Sequence, residues 1–269
     1  MVIKMITEIQ KNIINKLGVM PIIDTVEQIE KRVSFLYDYL KQSGANGYVL
    51  GLSGGQDSTL SARLAQIAVE KDVSKAFIAV KLPYGEQKDA EDVEIAIDFV
   101  KPTKVITINI KLIVDTFVNM YEQSIGEKMS DFNKGNLKAR IRMVVQYAIA
   151  GANNMLVIGT DHAAENLMGF YTKFGDGAAD ILPLAGLTKN QGKELLKKLG
   201  CPERLYLKKP TADLLDNNPC LPDEDELGIT YDIIEKFLVG QKIDKVYFNK
   251  IINQFQQTDH KRKLPATPF

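Results

Sequence analysis

The chain has 269 residues, 45% hydrophobic and 25% charged, which is enough for a full α/β core. Its 34 basic and 34 acidic residues cancel, so net charge gives no indication of a nucleic-acid or membrane partner. Two histidines and two cysteines without a Cys-x-x-Cys pair disfavour a nitrogen- and sulfur-ligated metal site. The charged N-terminus predicts neither a signal peptide nor a membrane span, and we expect a cytoplasmic protein.

Helical and apolar segments alternate along the chain. Residues 3–17 have isoleucines at helical spacing, and Asp24 is predicted to cap a second helix. Short apolar runs with the character of strands then lie between helical segments, at 48–52, 75–82, 105–108 and 155–158. This order predicts a single α/β domain over residues 1–269, with a Rossmann-like, doubly wound parallel β-sheet flanked by helices. Ligands of such sheets bind at the carboxyl ends of the strands.

A glycine turn follows the first of these strands. Residues 47–58 read Gly-Tyr-Val-Leu-Gly-Leu-Ser-Gly-Gly-Gln-Asp-Ser, which predicts a strand, a turn and the start of a helix. Glycines allow a ligand to approach the backbone amides, and those amides together with the helix dipole favour a phosphate. A carboxylate at such a site repels phosphate unless a divalent cation lies between them. Asp57 is therefore predicted to be a Mg²⁺ ligand.

Two common phosphate-binding loops do not match this turn. The Walker loop needs a Gly-Lys-Ser/Thr sequence, and the turn contains no lysine. The dinucleotide fingerprint needs Gly-x-Gly-x-x-Gly, whereas Gly51, Gly54 and Gly55 are spaced differently. The sequence Ser-Gly-Gly-x-Asp-Ser instead resembles the loop of ATP pyrophosphatases, which release pyrophosphate and transfer AMP to an acceptor.

Acidic residues are dense after the fourth strand. Glu165 lies near the start of a helix and is predicted to approach the same cation as Asp57. Asp161 is interpreted as an ordinary acid of a surface loop, and His162 as a helix-start residue. Further along, Thr188 is predicted to cap a helix whose first residue, Lys189, opposes the helix dipole unless an anion compensates. The acidic run 223–226 is interpreted as another helix start.

Several segments in order resemble the ammonia-dependent NAD⁺ synthetases, from the phosphate loop to the C-terminus. The matching segments are 53–58, Leu-Pro-Tyr-Gly at 82–85, Asn-Lys-Gly-Asn at 133–136 with Ala139 and Arg140, Gly-Thr-Asp-His-Ala-Ala-Glu at 159–165, Phe-Tyr-Thr-Lys-Phe-Gly-Asp at 170–176, Pro-Thr-Ala-Asp-Leu at 210–214, Leu-Pro-Asp-Glu at 221–224 and His-Lys-Arg at 260–262. Members of that family use ATP and Mg²⁺ to adenylate the nicotinate carboxylate of deamido-NAD⁺. They release pyrophosphate, and ammonia then displaces AMP to form the amide.

The resemblance also implies roles for individual residues. It assigns ATP binding to Gly51, Leu52, Ser53, Gly54, Gly55, Gln56, Asp57, Ser58, Lys81, Gln87, Thr160, Lys189 and Thr211. It assigns deamido-NAD⁺ binding to Phe132, Arg140, Phe170, Lys173, Asp180, His260 and Lys261. Asp57 and Glu165 hold Mg²⁺ in this scheme. Asp176 and Lys189 are the implied catalytic residues, with Asp176 placing ammonia and removing its proton.

The resemblance further implies a homodimer that binds deamido-NAD⁺ at the subunit interface, with Arg140 on an interface helix. Some relatives carry an additional glutaminase domain with a nucleophilic cysteine. The synthetase pattern uses all 269 residues, so we expect no such domain and free ammonia as the nitrogen donor.

Two other functions compete with this prediction. The first is another ATP pyrophosphatase acting on a different acceptor, such as a GMP synthetase-like amidating subunit or an RNA-thiolating enzyme. Thiolation needs paired catalytic cysteines and a basic surface, which Cys201, Cys220 and the neutral net charge do not favour. The second is a nucleotide-binding regulatory module without turnover, which would leave Lys173, Asp176 and Asp180 without a role.

Overall fold

A parallel sheet of four strands forms the centre of the fold. The computed structural model describes residues 7–86, 89–209, 214–218 and 221–268. Its strands are β1 (Gly47–Gly51), β2 (Ala76–Lys81), β3 (Lys104–Thr107) and β4 (Leu156–Val157). They are ordered β3-β2-β1-β4, and each neighbouring pair is parallel. The predicted fold class is thereby confirmed.

Twelve α-helices and one 3₁₀ helix surround the sheet within the described residues. The α-helices are α1 (Glu8–Leu17), α2 (Thr25–Ser43), α3 (Gln56–Val69), α4 (Ala90–Val100), α5 (Lys111–Ile125), α6 (Asp131–Asn153), α7 (Ala163–Met168), α8 (Lys189–Lys198), α9 (Glu203–Leu207), α10 (Asp223–Leu227), α11 (Tyr231–Leu238) and α12 (Lys245–Gln257), and the 3₁₀ helix spans Asp259–Arg262. Over the ranges that are described, none of these helices is both long and apolar enough to cross a membrane.

Helices cover the sheet on both faces. Leu36 of α2, Leu60 of α3 and Leu195 of α8 belong to one fully buried apolar cluster. Val114 of α5 and Leu137 of α6 belong to a second cluster, together with strand residues of β1, β2 and β4. A third cluster joins α1, α7, α11 and α12 beside the sheet. Burying both sheet faces explains why the strands have continuous apolar sequences.

The helix starts follow the predicted caps. Asp24 Oδ1 accepts hydrogen bonds from the amides of Val26 and Glu27 at 2.8 and 2.9 Å. Thr188 Oγ1 accepts from Gln191 N at 3.2 Å, and the Gln191 side chain bonds back to Thr188 N at 3.0 Å. Each of these bonds satisfies an amide that has no partner within its own helix. The caps fix where α2 and α8 begin.

The carboxyl ends of the strands lie at one edge of the sheet, as expected for parallel strands. The ladder continues past β1, since Leu52 N donates to Val80 O at 2.9 Å. β4 is shorter than the predicted 155–158 because the chain leaves β1 beyond Ile158. Gly159 N then donates to Ile181 O at 3.0 Å. Beyond Ile158 the chain thus pairs with residue 181 instead of β1, at the edge of the sheet where the functional site lies.

Candidate active site

The predicted phosphate loop joins β1 to α3. β1 ends at Gly51, and α3 begins at Gln56 with Gly55 as its N-cap. The Oγ atoms of Ser53 and Ser58 lie 2.9 Å apart, and Ser58 Oγ also donates to Gly55 O at 3.2 Å. These bonds close the turn and leave the N-terminus of α3 beside a cleft. The positive end of the helix dipole there favours an anion.

Gly54 is the residue of the loop that tolerates no side chain. Its φ is +73°, and a Cβ would lie 2.7 Å from the carbonyl carbon of Asp92 and 2.8 Å from Val93 N. Both neighbours are backbone atoms at the start of α4, so they cannot move aside as a flexible side chain would. The glycine therefore lets α4 pack against the loop.

We expect Gly54→Ala to destabilise the protein by about 2 kcal/mol or more, because it combines left-handed strain with a backbone clash. Urea unfolding measures the change. Gly55→Ala is the matched control, since Gly55 has φ −81° and a Cβ there would meet only Ser53 Oγ, at 3.3 Å. An equal loss of stability in both variants would contradict this explanation.

A cleft of about 460 Å³ lies along the carboxyl edge of the sheet. This volume is within the range of small-molecule sites in proteins. The predicted ATP-binding residues that line it are Gly51, Leu52, Ser53, Gly55, Gln56, Asp57, Ser58, Thr160 and Lys189. Glu165, Phe170 and Asp176 line it as well. Residues 82–84 from the loop after β2 also line it, so loops that follow β1, β2 and β4 meet at this cleft.

The remaining predicted ATP residues have other positions. Gly54 lies behind the cleft wall against Asp92. Lys81, at the end of β2, forms an ion pair of 2.6 Å with Glu94 and is not part of the cleft lining. Gln87 and Thr211 lie outside the described residues. ATP binding by these residues stays a prediction.

Asp57 and Lys189 form an ion pair inside the cleft. Lys189 Nζ lies 2.5 Å from Asp57 Oδ2, and the two side chains are only 12% and 17% exposed. Burial alone would raise the pKa of Asp57, but the Lys189 charge and hydrogen bond hold it below its usual range. Burial likewise disfavours the charge on Lys189, yet Asp57 and Glu165 raise the pKa of Lys189. Asp57 is thus the anion that offsets the unfavourable position of Lys189 at the start of α8.

Glu165 lies beside this pair, at the first turn of α7. Burial raises its pKa well above the usual range, and the negative charge of Asp57 adds to the effect. Two carboxylates this close favour a shared proton or a cation between them. Oxygen atoms of Asp57 and Glu165 and a ring nitrogen of His162 all lie within 4.8 Å of one another. Two carboxylates fit the preference of Mg²⁺ for oxygen ligands.

His162 begins α7, as the sequence predicts. Its Nδ1 accepts a hydrogen bond from Ala164 N at 3.2 Å, and its own amide donates to Glu165 Oε2 at 3.4 Å. Burial lowers the pKa of His162 to about 4, so the imidazole is neutral at pH 7. The ring is 2% exposed and lies under the two carboxylates.

Asp161 is buried, contrary to the prediction of a surface acid. It is only 7% exposed. The chain on either side of it is fixed against the 181–187 segment, since Gly159 N bonds to Ile181 O and Ala163 N to Leu187 O. Burial, with the nearby charges of Asp176 and Asp57, raises the pKa of Asp161 to about 8.

We expect Asp161→Asn to stabilise the protein at pH 8 relative to wild type by about 1–3 kcal/mol. Between the unfolded pKa near 3.8 and the folded value of about 8, only the folded state keeps the Asp161 proton. Stability therefore falls as pH rises through this window, and the amide removes that loss. Urea unfolding at pH 5 and pH 8 measures the difference. The exposed Asp38→Asn is the control, and an Asp161→Asn variant with the wild-type pH dependence would contradict the prediction.

Asp176 is exposed toward the cleft. Its Oδ1 accepts a hydrogen bond from Thr172 N at 3.0 Å, within the loop that follows α7. The walls of the cleft withhold bulk solvent from this carboxylate and so raise the pKa of Asp176. Nearby, Lys261 Nζ donates to the carbonyls of Gly169 and Tyr171, both at 2.7 Å. The loop that carries Asp176 is therefore held to the C-terminal segment.

Three predicted dinucleotide-binding residues lie together outside the cleft lining. Arg140 Nη2 donates to the Lys173 carbonyl at 3.4 Å, and Lys173 Nζ donates to the His260 carbonyl at 2.7 Å. Phe132 is 65% exposed at the first turn of α6. Asp180 lies at β4, where its carboxylate accepts from Val157 N at 2.7 Å. Binding of deamido-NAD⁺ by these residues stays a prediction.

Other residues of the cleft have no recognisable signal in the sequence. Asp223 starts α10 as predicted, but its side chain is also 6% exposed and lines the cleft. Tyr231 OH lies 3.2 Å from Asp223 Oδ2. Gln146 Oε1, from the middle of α6, accepts from Gly51 N at 2.7 Å. A single acid in an acidic run and one glutamine in a long helix carry no local signal, so only the tertiary structure reveals them.

A parallel α/β sheet with a glycine-rich anion loop and an acidic pair at its carboxyl edge defines a nucleotide-binding protein. The family model described as NAD synthase matches residues 28–265, and the chain belongs to this family. It is 54% identical over 265 residues to the NH(3)-dependent NAD(+) synthetase of Bacillus velezensis, covering 97% of each chain.

Two solved structures have the same fold. The NAD⁺ synthetase from Burkholderia pseudomallei superposes with a TM-score of 0.82 at 43% identity, covering 95% of this chain and 96% of that one. The NMN synthetase from Francisella tularensis gives a TM-score of 0.83 at 37% identity, covering 92% of this chain and 99% of that one. The predicted family is confirmed.

Proposed function

We propose that this protein is an ammonia-dependent NAD⁺ synthetase, which converts deamido-NAD⁺, ATP and ammonia to NAD⁺, AMP and pyrophosphate. The observation that carries the proposal is the anion loop of the family beside the largely buried Asp57, Glu165 and Lys189. Identity of 54% over 97% of both chains supports ammonia as the nitrogen donor. We place the reaction in the cytoplasm.

The chemistry begins with a carboxylate, which is a poor electrophile. One oxygen of the nicotinate carboxylate attacks the α-phosphorus of ATP, and the bond to the β-phosphate breaks. Ser53, Ser58 and the amides at the start of α3 stabilise the negative charge that develops on the leaving pyrophosphate. Lys189 adds a fixed positive charge in the same cleft. No nucleophilic side chain of the protein is required.

Asp57 and Glu165 are the residues that would hold Mg²⁺. Their carboxylates lie close together and largely desolvated, and Lys189 already neutralises part of their charge. When bound, Mg²⁺ supplies positive charge that offsets the charge on the ATP phosphates. The chain itself holds the two acids in place, since Asp57 lies in the first turn of α3 and Glu165 in the first turn of α7.

In the second half of the reaction, ammonia attacks the activated carbonyl carbon and AMP leaves. The nitrogen must lose a proton to become the amide, and Asp176 is the carboxylate we assign to that step. It is open to the cleft, and its raised pKa makes it a stronger base than a solvated aspartate. Phe170 also lines the cleft and offers a ring against which the pyridine of the acceptor can pack.

We further propose a homodimer in which the partner subunit completes the deamido-NAD⁺ site. α5 and α6 carry large apolar side chains on their outer faces, and the most exposed of these are Leu112, Met120, Ile125, Phe132 and Val144. Contiguous exposed apolar residues mark interaction surfaces more often than ordinary monomer surface. Arg140 lies on the same helix as Phe132 and Val144. Sedimentation that gives twice the 30.0 kDa mass of the chain would support the dimer.

The function is tested with purified protein, ATP, Mg²⁺, deamido-NAD⁺ and ammonium, following NAD⁺, AMP and pyrophosphate together. Equal amounts of all three products, with glutamine a poor substitute for ammonium, are expected. Because an NMN synthetase has the same fold, the assay is repeated with the mononucleotide acceptor. A preference for that acceptor, or for another one, would contradict the assignment of deamido-NAD⁺. Tight ATP binding without turnover would favour a regulatory module.

A further inference from the structure

We propose that His162 positions the two carboxylates of the metal site by directing its Nε2–H toward both Asp57 and Glu165, and that it is not a metal ligand. The inference rests on the proposed Mg²⁺ site. It adds a third residue to that site and assigns it as a hydrogen-bond donor.

The hydrogen bond at Nδ1 determines where the proton of the ring lies. Nδ1 accepts from Ala164 N at 3.2 Å, so this nitrogen must present its lone pair and carries no hydrogen. A neutral imidazole has one N–H, which is then on Nε2. A protonated Nε2 has no lone pair left for a cation. The bond that caps α7 therefore also excludes His162 as a ligand in this tautomer.

The Nε2–H lies between the two acids. Nε2 is 3.8 Å from Asp57 Oδ1 and 3.7 Å from Glu165 Oε2. It is buried, and no hydrogen-bond partner for it is found in the described part of the chain. A buried donor without a partner is costly, and these two carboxylate oxygens are acceptors that it faces. Both distances are longer than a hydrogen bond, so the Nε2–H faces the two oxygens through a longer polar contact.

Glu165 depends on this contact more than Asp57 does. Asp57 is already held by Lys189, which bonds to its other oxygen, Oδ2, at 2.5 Å. Glu165 Oε2 accepts a hydrogen bond from the His162 amide at 3.4 Å, and the His162 ring faces the same oxygen. The orientation of Glu165 is thus determined by the backbone and side chain of one residue. Tyr231 packs beside the imidazole with ring centroids 6.3 Å apart, which restrains the ring.

Two substitutions separate the functions of the two ring nitrogens. His162→Asn keeps an acceptor near the Nδ1 position, so it preserves the cap and removes the Nε2–H. His162→Gln places an amide donor near the Nε2 position and removes the cap. If His162 acts only as the cap of α7, we expect only the glutamine variant to lose stability or metal affinity. A positioning role predicts that metal affinity is lost in the asparagine variant and retained in the glutamine variant.

The test measures Mn²⁺ binding by EPR titration in the presence of α,β-methylene-ATP, which cannot release pyrophosphate. We expect the asparagine variant to bind Mn²⁺ about 10- to 100-fold more weakly than wild type, as is typical when a residue that orients metal ligands is lost. Its melting temperature is expected to stay close to that of wild type. The glutamine variant is expected to bind Mn²⁺ within about threefold of wild type while melting at a lower temperature.

Several results would overturn the inference. Unchanged Mn²⁺ affinity in the asparagine variant would show that the Nε2–H does not support the carboxylates. A nitrogen coupling of the size given by directly bound imidazole, in the pulsed EPR spectrum of wild type, would make His162 a ligand. If Asp57→Asn bound Mn²⁺ as tightly as wild type, the proposed metal site itself would be wrong, and the role of His162 with it. The Asp57 variant thus distinguishes an incorrect metal site from an incorrect role for His162.

Discussion

Asp57→Asn is expected to reduce Mg²⁺-dependent release of pyrophosphate by at least about 100-fold, because it removes both a metal ligand and the counter-charge of Lys189. The substitution preserves the shape of the side chain and changes only its charge. The measurement is the initial rate of pyrophosphate release with saturating ATP, deamido-NAD⁺ and ammonium. Activity near the wild-type level would remove Asp57 from the metal site.

Loss of folding could imitate this loss of activity, because Asp57→Asn leaves Lys189 buried without its partner. Breaking one side of a buried ion pair costs about 3–5 kcal/mol. Asp57→Asn combined with Lys189→Met removes both charges, so urea unfolding is expected to show most of the stability restored. The double variant is nevertheless expected to remain inactive. Recovery of activity together with stability would mean that Asp57 acts only through the fold.

Asp92→Asn is the matched control for this experiment. Asp92 is a buried acid near the same loop, with Arg204 at 2.6 Å and Lys208 at 2.9 Å, and it does not line the cleft. Its substitution also removes two ion pairs of a buried carboxylate, so a loss of stability is expected. Pyrophosphate release by the folded fraction is expected to stay within a few-fold of wild type. The comparison distinguishes the effect of removing a negative charge from the cleft from the effect of removing a buried negative charge elsewhere.

Local sequence patterns predicted the parts of the molecule that depend on local physics. The turn at Gly54 and Gly55 follows from the missing Cβ, and the helix starts at Asp24 and Thr188 follow from side-chain capping. The unfavourable position of Lys189 even predicted a compensating anion. Its identity, Asp57, is 132 residues away in sequence and could not be read from the neighbourhood of Lys189.

Contacts between segments that are distant in sequence explain the features that the sequence did not reveal. Asp161 has the sequence environment of a loop acid, but it is buried where the residues on either side of it bond to the segment after Asp180. The apolar residues that recur along α6 include Val144, which is 53% exposed. A periodic pattern indicates which face of a helix is apolar. It does not distinguish the core of one chain from a surface that a second chain covers.

Asp176→Asn is expected to separate the two halves of the reaction. Formation of the adenylate needs no base, so exchange of labelled pyrophosphate into ATP, in the presence of deamido-NAD⁺, is expected to stay within a few-fold of wild type. NAD⁺ formation is expected to fall by about 100- to 10,000-fold, the usual contribution of a positioned general base. The exposed Asp232→Asn on α11 is the control and is expected to change neither rate.

The pH dependence gives an independent test of the same role. Asp176 accepts a proton only as the carboxylate, and its pKa is raised by the partly desolvated cleft. At constant free ammonia, the rate of NAD⁺ formation by wild type is therefore expected to fall as pH decreases through that raised pKa. The asparagine variant has no such group and is expected to show a flat residual rate over the same range.

The two rates together decide what Asp176 does. If both exchange and NAD⁺ formation fall equally, Asp176 acts in binding or adenylating the acceptor rather than on ammonia. If only NAD⁺ formation falls, the adenylate must accumulate, and a burst of pyrophosphate without matching NAD⁺ is expected in a single turnover. Since no residue other than Asp176 is changed, such a burst would indicate that this carboxylate accepts the proton of the attacking nitrogen.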